Sequence, residues 1–303
     1  MAIKKSQIGE EISSSLVPVT NKCNQNCLHC STREIFRNLD FSLKSTLKRV
    51  HQIGNLITLT GGEPTLSPNL FKIIDFAKRE RKKVELFTNG TTLSYLALAQ
   101  KLFLSKVDLF NIGLSAYDEN LYNKITRTRG LFKAKVKGIK NLEKLGANIK
   151  LTYPIHTLNY KHLSKFIDWV KKNFQTVKSV QFNFLCFEGE ALKNSWLVPK
   201  YEKVEPYLIS AFKKCSKYKI DFIVDHIPPC FLGDFFEHHI DLRKLKMNAV
   251  FELKHSLREK IKIKACQSCQ LNSLCCGPRK DYLKLFNNKI ILKPIYVAKL
   301  RKT

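Results

Sequence analysis

Apolar and polar positions along this chain follow two alternating periods. Short runs rich in β-branched and aromatic residues occur at Leu16–Thr20, Leu56–Thr60, Val84–Thr88, Leu109–Leu114, Ile149–Ile155 and Val180–Phe187. Between them lie longer stretches whose apolar residues recur every three to four positions. The first pattern is that of a buried strand, the second that of an amphipathic helix. The spacing predicts helices over Phe41–Ile53, Pro68–Arg81, Leu96–Leu104, Phe132–Leu145 and Tyr160–Phe174. In Pro68–Arg81 the helical set is Leu70, Phe71, Ile73, Ile74 and Phe76, and Gly146 supplies a stop signal after Leu145. Strand–helix alternation implies a parallel sheet with crossover helices. Six units fall short of the eight in a closed barrel. The expected fold class is therefore α/β: a partial (β/α)6 TIM-like barrel with a small irregular C-terminal domain. Beyond Trp196–Tyr207 the pattern loses its period, which places the expected division between residues 1–208 and 209–303.

Composition changes this picture little. The chain has 303 residues, 44% of them hydrophobic, enough for one large domain and an appendage. No apolar run approaches the ~20 residues of a membrane span. The first fifteen residues have no apolar core of the signal-peptide kind. A soluble, cytoplasmic protein without a membrane partner is expected. The net charge is +28, carried by 42 Lys and 11 Arg. Such a surface attracts RNA, anionic lipid or an acidic peptide. Base and phosphate readout leans on Arg forks, which are scarce here, so charge alone does not identify a nucleic-acid enzyme.

The ten cysteines do change it. Cys23, Cys27 and Cys30 stand as C-x3-C-x2-C directly after the first strand. Three thiolates on one loop can ligate three irons of a [4Fe–4S] cluster and leave the fourth iron open. A closed zinc site wants four ligands, and His29 is poorly spaced to be one. Thr60-Gly61-Gly62-Glu63-Pro64 ends the second strand. Its glycines would let backbone approach a ligand closely, and Glu63 could accept hydrogen bonds from a ligand ammonium. Alone, the motif reads as a turn. Thr88-Asn89-Gly90 ends the third strand. Ser115 follows the fourth, with Arg127 twelve residues later and Arg129 equally placed. Asn159 after the fifth reads as a turn or cap residue.

In order and spacing, these motifs resemble the radical S-adenosylmethionine (SAM) superfamily over residues 15 to about 190. The resemblance implies that the open iron chelates SAM and that the reduced cluster cleaves it to a 5′-deoxyadenosyl radical, which abstracts hydrogen from a substrate. It implies that His29 packs on the adenine, and that Gly61, Gly62, Glu63 and Pro64 hold the SAM amino group. Thr88 and Asn89 would lie near the cofactor, with Ser115 and Arg127 on its ribose and carboxylate. It also implies an electron donor such as ferredoxin or flavodoxin. No catalytic residue is assigned beyond the cluster.

Cys266-x2-Cys269-x5-Cys275-Cys276-Gly277 forms a second group. It resembles the SPASM and twitch auxiliary domains of that superfamily, with too few cysteines for a full SPASM domain. Those domains often carry an upstream Cys after a Pro, and Cys230 follows Pro228-Pro229. The implied ligands of a second [4Fe–4S] cluster are Cys230, Cys266, Cys269 and Cys275. Cys276 is an alternative to Cys275, and zinc an alternative metal. Cys186 and Cys215 read as buried thiols, Glu188 and Glu190 as a solvated turn, and His238 and His239 as surface residues. The expected activity is hydrogen abstraction from a peptide or protein. The alternatives are RNA or a small cofactor precursor as substrate, and, in another class, a non-catalytic zinc-containing nucleic-acid-binding protein.

Overall fold

The computed structural model describes residues 15–246 and 258–296. The stretch read for a signal peptide lies, up to residue 14, outside the described residues. Among the described residues seven parallel strands form one open sheet in chain order: β1 (Ser15–Pro18), β2 (Leu56–Thr60), β3 (Lys83–Thr88), β4 (Leu109–Gly113), β5 (Ile149–Ile155), β6 (Ser179–Phe184) and β7 (Asp221–Asp225). Parallel neighbours need a crossover at every step. Helices Leu43–Gln52, Leu70–Arg79, Leu96–Leu104, Leu131–Lys144, Leu163–Asn173 and Tyr201–Tyr218 supply them. The apolar stripe of Leu70–Arg79 buries Leu70, Ile73, Ile74 and Ala77, as its period predicts. Ser42 caps Leu43–Gln52 by accepting from Ser45 N at 3.3 Å.

The seventh strand departs from the expectation of six. It lies beyond residue 208, and helix Tyr201–Tyr218 runs through that position unbroken. The run DFIVD is short and set in irregular sequence; its pairing with β6, Val180 opposite Phe222 and Phe182 opposite Val224, makes it a strand. The chain leaves the sheet only after Asp225. Nor are the histidines that follow surface residues. His239 is 2% exposed, and His238 stacks on Phe222 with ring centroids 3.9 Å apart.

One side of the sheet is polar deep inside. Glu85 on β3 accepts Thr58 Oγ1 at 2.7 Å and Asn111 Nδ2 at 2.7 Å, and its carboxylate lies 2.9 Å from the Lys150 ammonium. Thr152 Oγ1 donates to Asn111 Oδ1 at 2.6 Å. Glu85 and Lys150 are both buried, so each charge depends on the other.

The C-terminal segment docks on the last strands. Tyr282 stacks on Tyr201 with ring centroids 3.7 Å apart, and Tyr201 N donates to the Tyr282 hydroxyl at 3.0 Å. Phe187 N donates to Asp281 at 2.8 Å. Buried Lys260 lies 2.6 Å from Asp241 and 3.7 Å from Asp225. Burial opposes both carboxylates' ionisation, but the surrounding histidines and Lys260 hold them below the ordinary carboxylate range. Among the described residues no helix is long and apolar enough to cross a membrane.

Replacing Glu85 by Leu takes away the carboxylate that Lys150 faces. The expected loss in unfolding free energy is about 3–5 kcal/mol, read by urea denaturation. Adding Lys150→Met should recover most of it. A loss under about 1 kcal/mol in the single variant would mean the pair behaves as a solvated surface bridge.

Candidate active site

The C-terminal ends of the strands carry the site, as in other barrels of this architecture. The chain leaves β1 into the loop of Cys23, Cys27 and Cys30. Thr126 O accepts from Asn26 N at 3.0 Å, and Ile125 O accepts from Leu28 N at 2.9 Å. The loop is thus pinned to the end of helix Glu119–Thr126, itself capped by Asp118.

The GGEP turn meets this loop backbone to backbone. Gly62 N donates to Thr20 O at 2.8 Å and Glu63 N to Lys22 O at 2.7 Å. A Cβ on Gly61 would lie 2.2 Å from Thr20 O, and one on Gly62 would lie 2.2 Å from Lys22 O. Gly61 also has φ +127°, a conformation that side chains resist. In this structure, then, the two glycines are dictated by the cysteine loop itself, and Pro64 opens the short 3-10 turn Pro64–Leu66.

Glu63 is fully buried. Its Oε1 accepts Thr65 N at 3.1 Å, Thr65 Oγ1 at 2.6 Å and Thr88 Oγ1 at 2.5 Å, and its Oε2 accepts Asn89 N at 2.7 Å. Oε1 is saturated, whereas Oε2 keeps acceptor capacity for one more donor. Asn89 Nδ2 donates to Asn24 Oδ1 at 2.8 Å, and Asn24 Nδ2 to Thr91 Oγ1 at 2.9 Å. A polar belt therefore ties Cys23's neighbour to the ends of β2 and β3. Sequence reasoning found Glu63, Thr88 and Asn89 but missed Asn24, Thr65 and Thr91. Thr65 was within reach, because Glu-Pro-Thr is the start of a capped turn.

The segment after β6 closes over the same loop. Glu190 N donates to Cys30 O at 2.8 Å, and Asn194 Nδ2 to Leu28 O at 3.4 Å. A Cβ on Gly189 would lie 2.5 Å from Cys30 O. The reading of Glu188–Glu190 as a solvated turn is therefore corrected for Glu190, which is 8% exposed and packed against the third cysteine.

Other expected residues are placed unevenly. Asn159 is fully buried and donates to Ser115 O at 3.0 Å and Pro154 O at 2.7 Å, which joins the ends of β4 and β5. Ser115 is buried there. His29 stacks on His156, centroids 5.2 Å apart, and its Nδ1 is buried without a partner. Burial, aided by Lys135, lowers its pKa to about 4, so it stays neutral. Arg127 is exposed, left-handed at φ 52°, and shares a shallow surface cleft with Arg129. The backbone just before it, at Ile125 and Thr126, bonds the cysteine loop.

The donor set fits a cluster. Three thiols share one loop with no fourth cysteine beside them, and burial pushes Cys27 up to about 12, a proton that iron must displace. Among the described residues no three His, Cys, Asp or Glu side chains converge to hold one metal ion; a cluster instead distributes its ligands over separate irons.

Cys230, Cys266, Cys269 and Cys275 line one cavity, with Pro228, Pro229 and Ile295 among its walls. Backbone N–H groups point at two of these sulfurs: Ile295 N to Cys269 at 3.3 Å and Gly277 N to Cys275 at 3.2 Å. A Cβ on Gly277 would fall 2.2 Å from Ile261 O, which accounts for the glycine after the cysteine pair. Cys276 lies outside this cavity, buried beside Asp241 and Lys260. The structure separates two neighbours that spacing could not.

Comparison with known proteins bears on this geometry. The family model of the radical SAM superfamily matches residues 17–170. Sequence relatives include a "Probable GTP 3′,8-cyclase" of Sulfolobus acidocaldarius, 33% identical over 178 residues, 56% of this chain and 55% of the relative. The same description is carried by a Pyrococcus horikoshii protein, 30% identical over 150 residues, 48% of this chain and 47% of the relative. The chain thus spans about half the length of these relatives. Among solved structures, anSMEcpe with bound AdoMet superposes with TM-score 0.60 at 17% identity, covering 88% of both chains. Streptococcus suis SuiB superposes with TM-score 0.56 at 13% identity, covering 70% of this chain and 50% of that one. The structural likenesses establish a shared fold. With the family model spanning half of the sequence and all three loop cysteines, this chain belongs to the radical SAM superfamily.

Proposed function

We propose that Cys23, Cys27 and Cys30 hold a [4Fe–4S] cluster beside bound SAM, and that the enzyme acts on a small-molecule precursor of the purine nucleotide kind. The single observation that carries the first part is the belt from Glu63 through Asn89 and Asn24 to the cysteine loop. It builds a polar, partly saturated acceptor next to three thiols. The second part rests on the relatives described as GTP 3′,8-cyclases. A peptide or protein substrate, expected from the tail, draws no support from them, and RNA has only the net charge of +28 in its favour.

When bound, the cluster supplies the electron that splits SAM into methionine and a 5′-deoxyadenosyl radical. The protein's residues do the rest. Glu63 Oε2 offers its remaining acceptor capacity to the SAM ammonium. Neutral His29, packed on His156, presents an aromatic face to the adenine. Ser115 and Arg127 are proposed for the ribose and carboxylate, Arg127 from its exposed position. The turn Gly189–Leu192 packs on the backbone of the third cysteine and helps to hold it in place.

Cys230, Cys266, Cys269 and Cys275 are proposed to hold a second [4Fe–4S] cluster in an auxiliary region of SPASM or twitch type within residues 209–303. The N–H groups aimed at Cys269 and Cys275 would stabilise thiolates there. A ferredoxin- or flavodoxin-like donor is proposed to supply electrons.

Anaerobic reconstitution with iron and sulfide, followed by SAM and dithionite, tests the reading. About eight irons per chain and 5′-deoxyadenosine are expected, with GTP tried first as substrate and its loss followed by chromatography. Zinc without deoxyadenosine would sink the proposal. Cys27→Ala is expected to abolish deoxyadenosine. Glu63→Gln, which loses a charged acceptor, is expected to weaken SAM binding about tenfold or more. Cys275→Ala should drop iron content towards four per chain while Cys276→Ala keeps it near eight; the reverse would exchange the two assignments.

A further inference from the structure

A buried ammonium lies beneath the cysteine loop. Lys135, on helix Leu131–Lys144, is 2% exposed. Its Nζ donates to Gly113 O at 2.5 Å, at the end of β4, and sits 4.6 Å from the centroid of the Tyr122 ring. It forms no ion pair among the described residues. An ammonium with one carbonyl and one ring face is poorly compensated for such burial. The acidic groups in its electrostatic reach are the Cys27 thiol, Glu63 and the Cys23 thiol, in that order.

The contacts run on to the sulfurs. The Tyr122 hydroxyl accepts from Gln25 Nε2 at 2.5 Å. Gln25 N donates to Cys23 Sγ at 3.4 Å, and the Cys27 thiol donates to Gln25 Oε1 at 3.4 Å. Burial lowers the Lys135 pKa to about 8, and the thiols and Glu63 oppose that fall. Neighbouring thiolates would keep it charged. Lys135 is one of many lysines on its helix, and most of the others face outward; Lys135 alone of them is buried.

We propose that Lys135 is a positioning residue that fixes one positive charge under the cluster on Cys23, Cys27 and Cys30 and raises its reduction potential. This rests on the reading that these cysteines hold the cluster. Each added electron makes a thiolate-ligated cluster more anionic, and net charge and burial set its potential. A fixed cation in a dry site favours the reduced form. The step assisted is transfer of one electron from the external donor to the cluster, with no bond made or broken at Lys135.

The test uses the full chain, reconstituted anaerobically as wild type, Lys135→Met and Lys135→Gln. Iron and sulfide are counted first, and circular dichroism checks the fold. The electron paramagnetic resonance signal that responds to added SAM is then titrated against solution potential. Both variants are expected to keep wild-type iron and to be harder to reduce. The reduced-to-oxidised ratio at fixed potential should fall about tenfold, equivalent to about 59 mV for a one-electron couple. Gln retains a donor for Gly113 O, so a shift shared with Met reports charge and not the lost hydrogen bond. An unchanged midpoint with a full cluster would overturn the proposal. So would loss of iron in a folded Lys135→Gln, which would make the residue an assembly determinant. Wild-type protein without iron would instead overturn the underlying cluster reading.

Discussion

Two backbone carbonyls constrain the whole site. Thr20 O and Lys22 O each stand 2.2 Å from where a Cβ on Gly61 or Gly62 would lie, and each accepts a hydrogen bond from the turn that follows β2. This contact leaves the Cys23–Cys30 loop little freedom to move relative to the sheet. It also sinks Glu63 to full burial, where its carboxylate requires several donors. Thr65, Thr88 and Asn89 provide them. The polar belt follows from the glycines: any side chain there would push the turn away and separate carboxylate from thiols.

The rest of the mouth is built by similar close approaches. Gly189 lets the segment after β6 lie on Cys30 O, and Gly277 lets the Cys275 turn lie on Ile261 O. Each brings a backbone N–H to a cysteine or its carbonyl. Cysteines that ligate metal need fixed sulfur positions and donors nearby, and glycine permits both without loss of packing. The two cysteine groups differ in number. As proposed ligands, three thiols on the first loop would leave room for an exchangeable ligand, whereas the four that line the C-terminal cavity would complete a set.

Charge is distributed by the same economy. The interior pair Glu85–Lys150 and the group of Asp225, Asp241 and Lys260 compensate themselves. Arg279 is likewise held by Asp281 and Glu259. Among the described residues Lys135 is the exception, a buried cation with no ion pair whose electrostatic neighbours are the Cys27 thiol, Glu63 and the Cys23 thiol. A residue so placed makes more physical sense with thiolates and iron above it than with neutral thiols.

The sequence by itself determined the period of six strands, the crossover helices and the order of the cysteine, Gly-Gly-Glu and Thr-Asn-Gly motifs, because these are local patterns set by backbone geometry and spacing. It also placed Cys230 with the three distant cysteines, through the resemblance its Pro-Cys step carries. Only the tertiary structure decided what depends on contacts between distant segments. It made Asp221–Asp225 a seventh strand by pairing it with β6, buried Glu190 and His239, and left Arg127 at the surface. It turned Cys276 towards Asp241 and Cys275 into the cavity. Among the lysines of one helix it set Lys135 inward, a choice invisible to composition because a buried lysine and an exposed one are the same letter. Burial depends on which surface the fold brings opposite, and that is fixed only when the sheet curls.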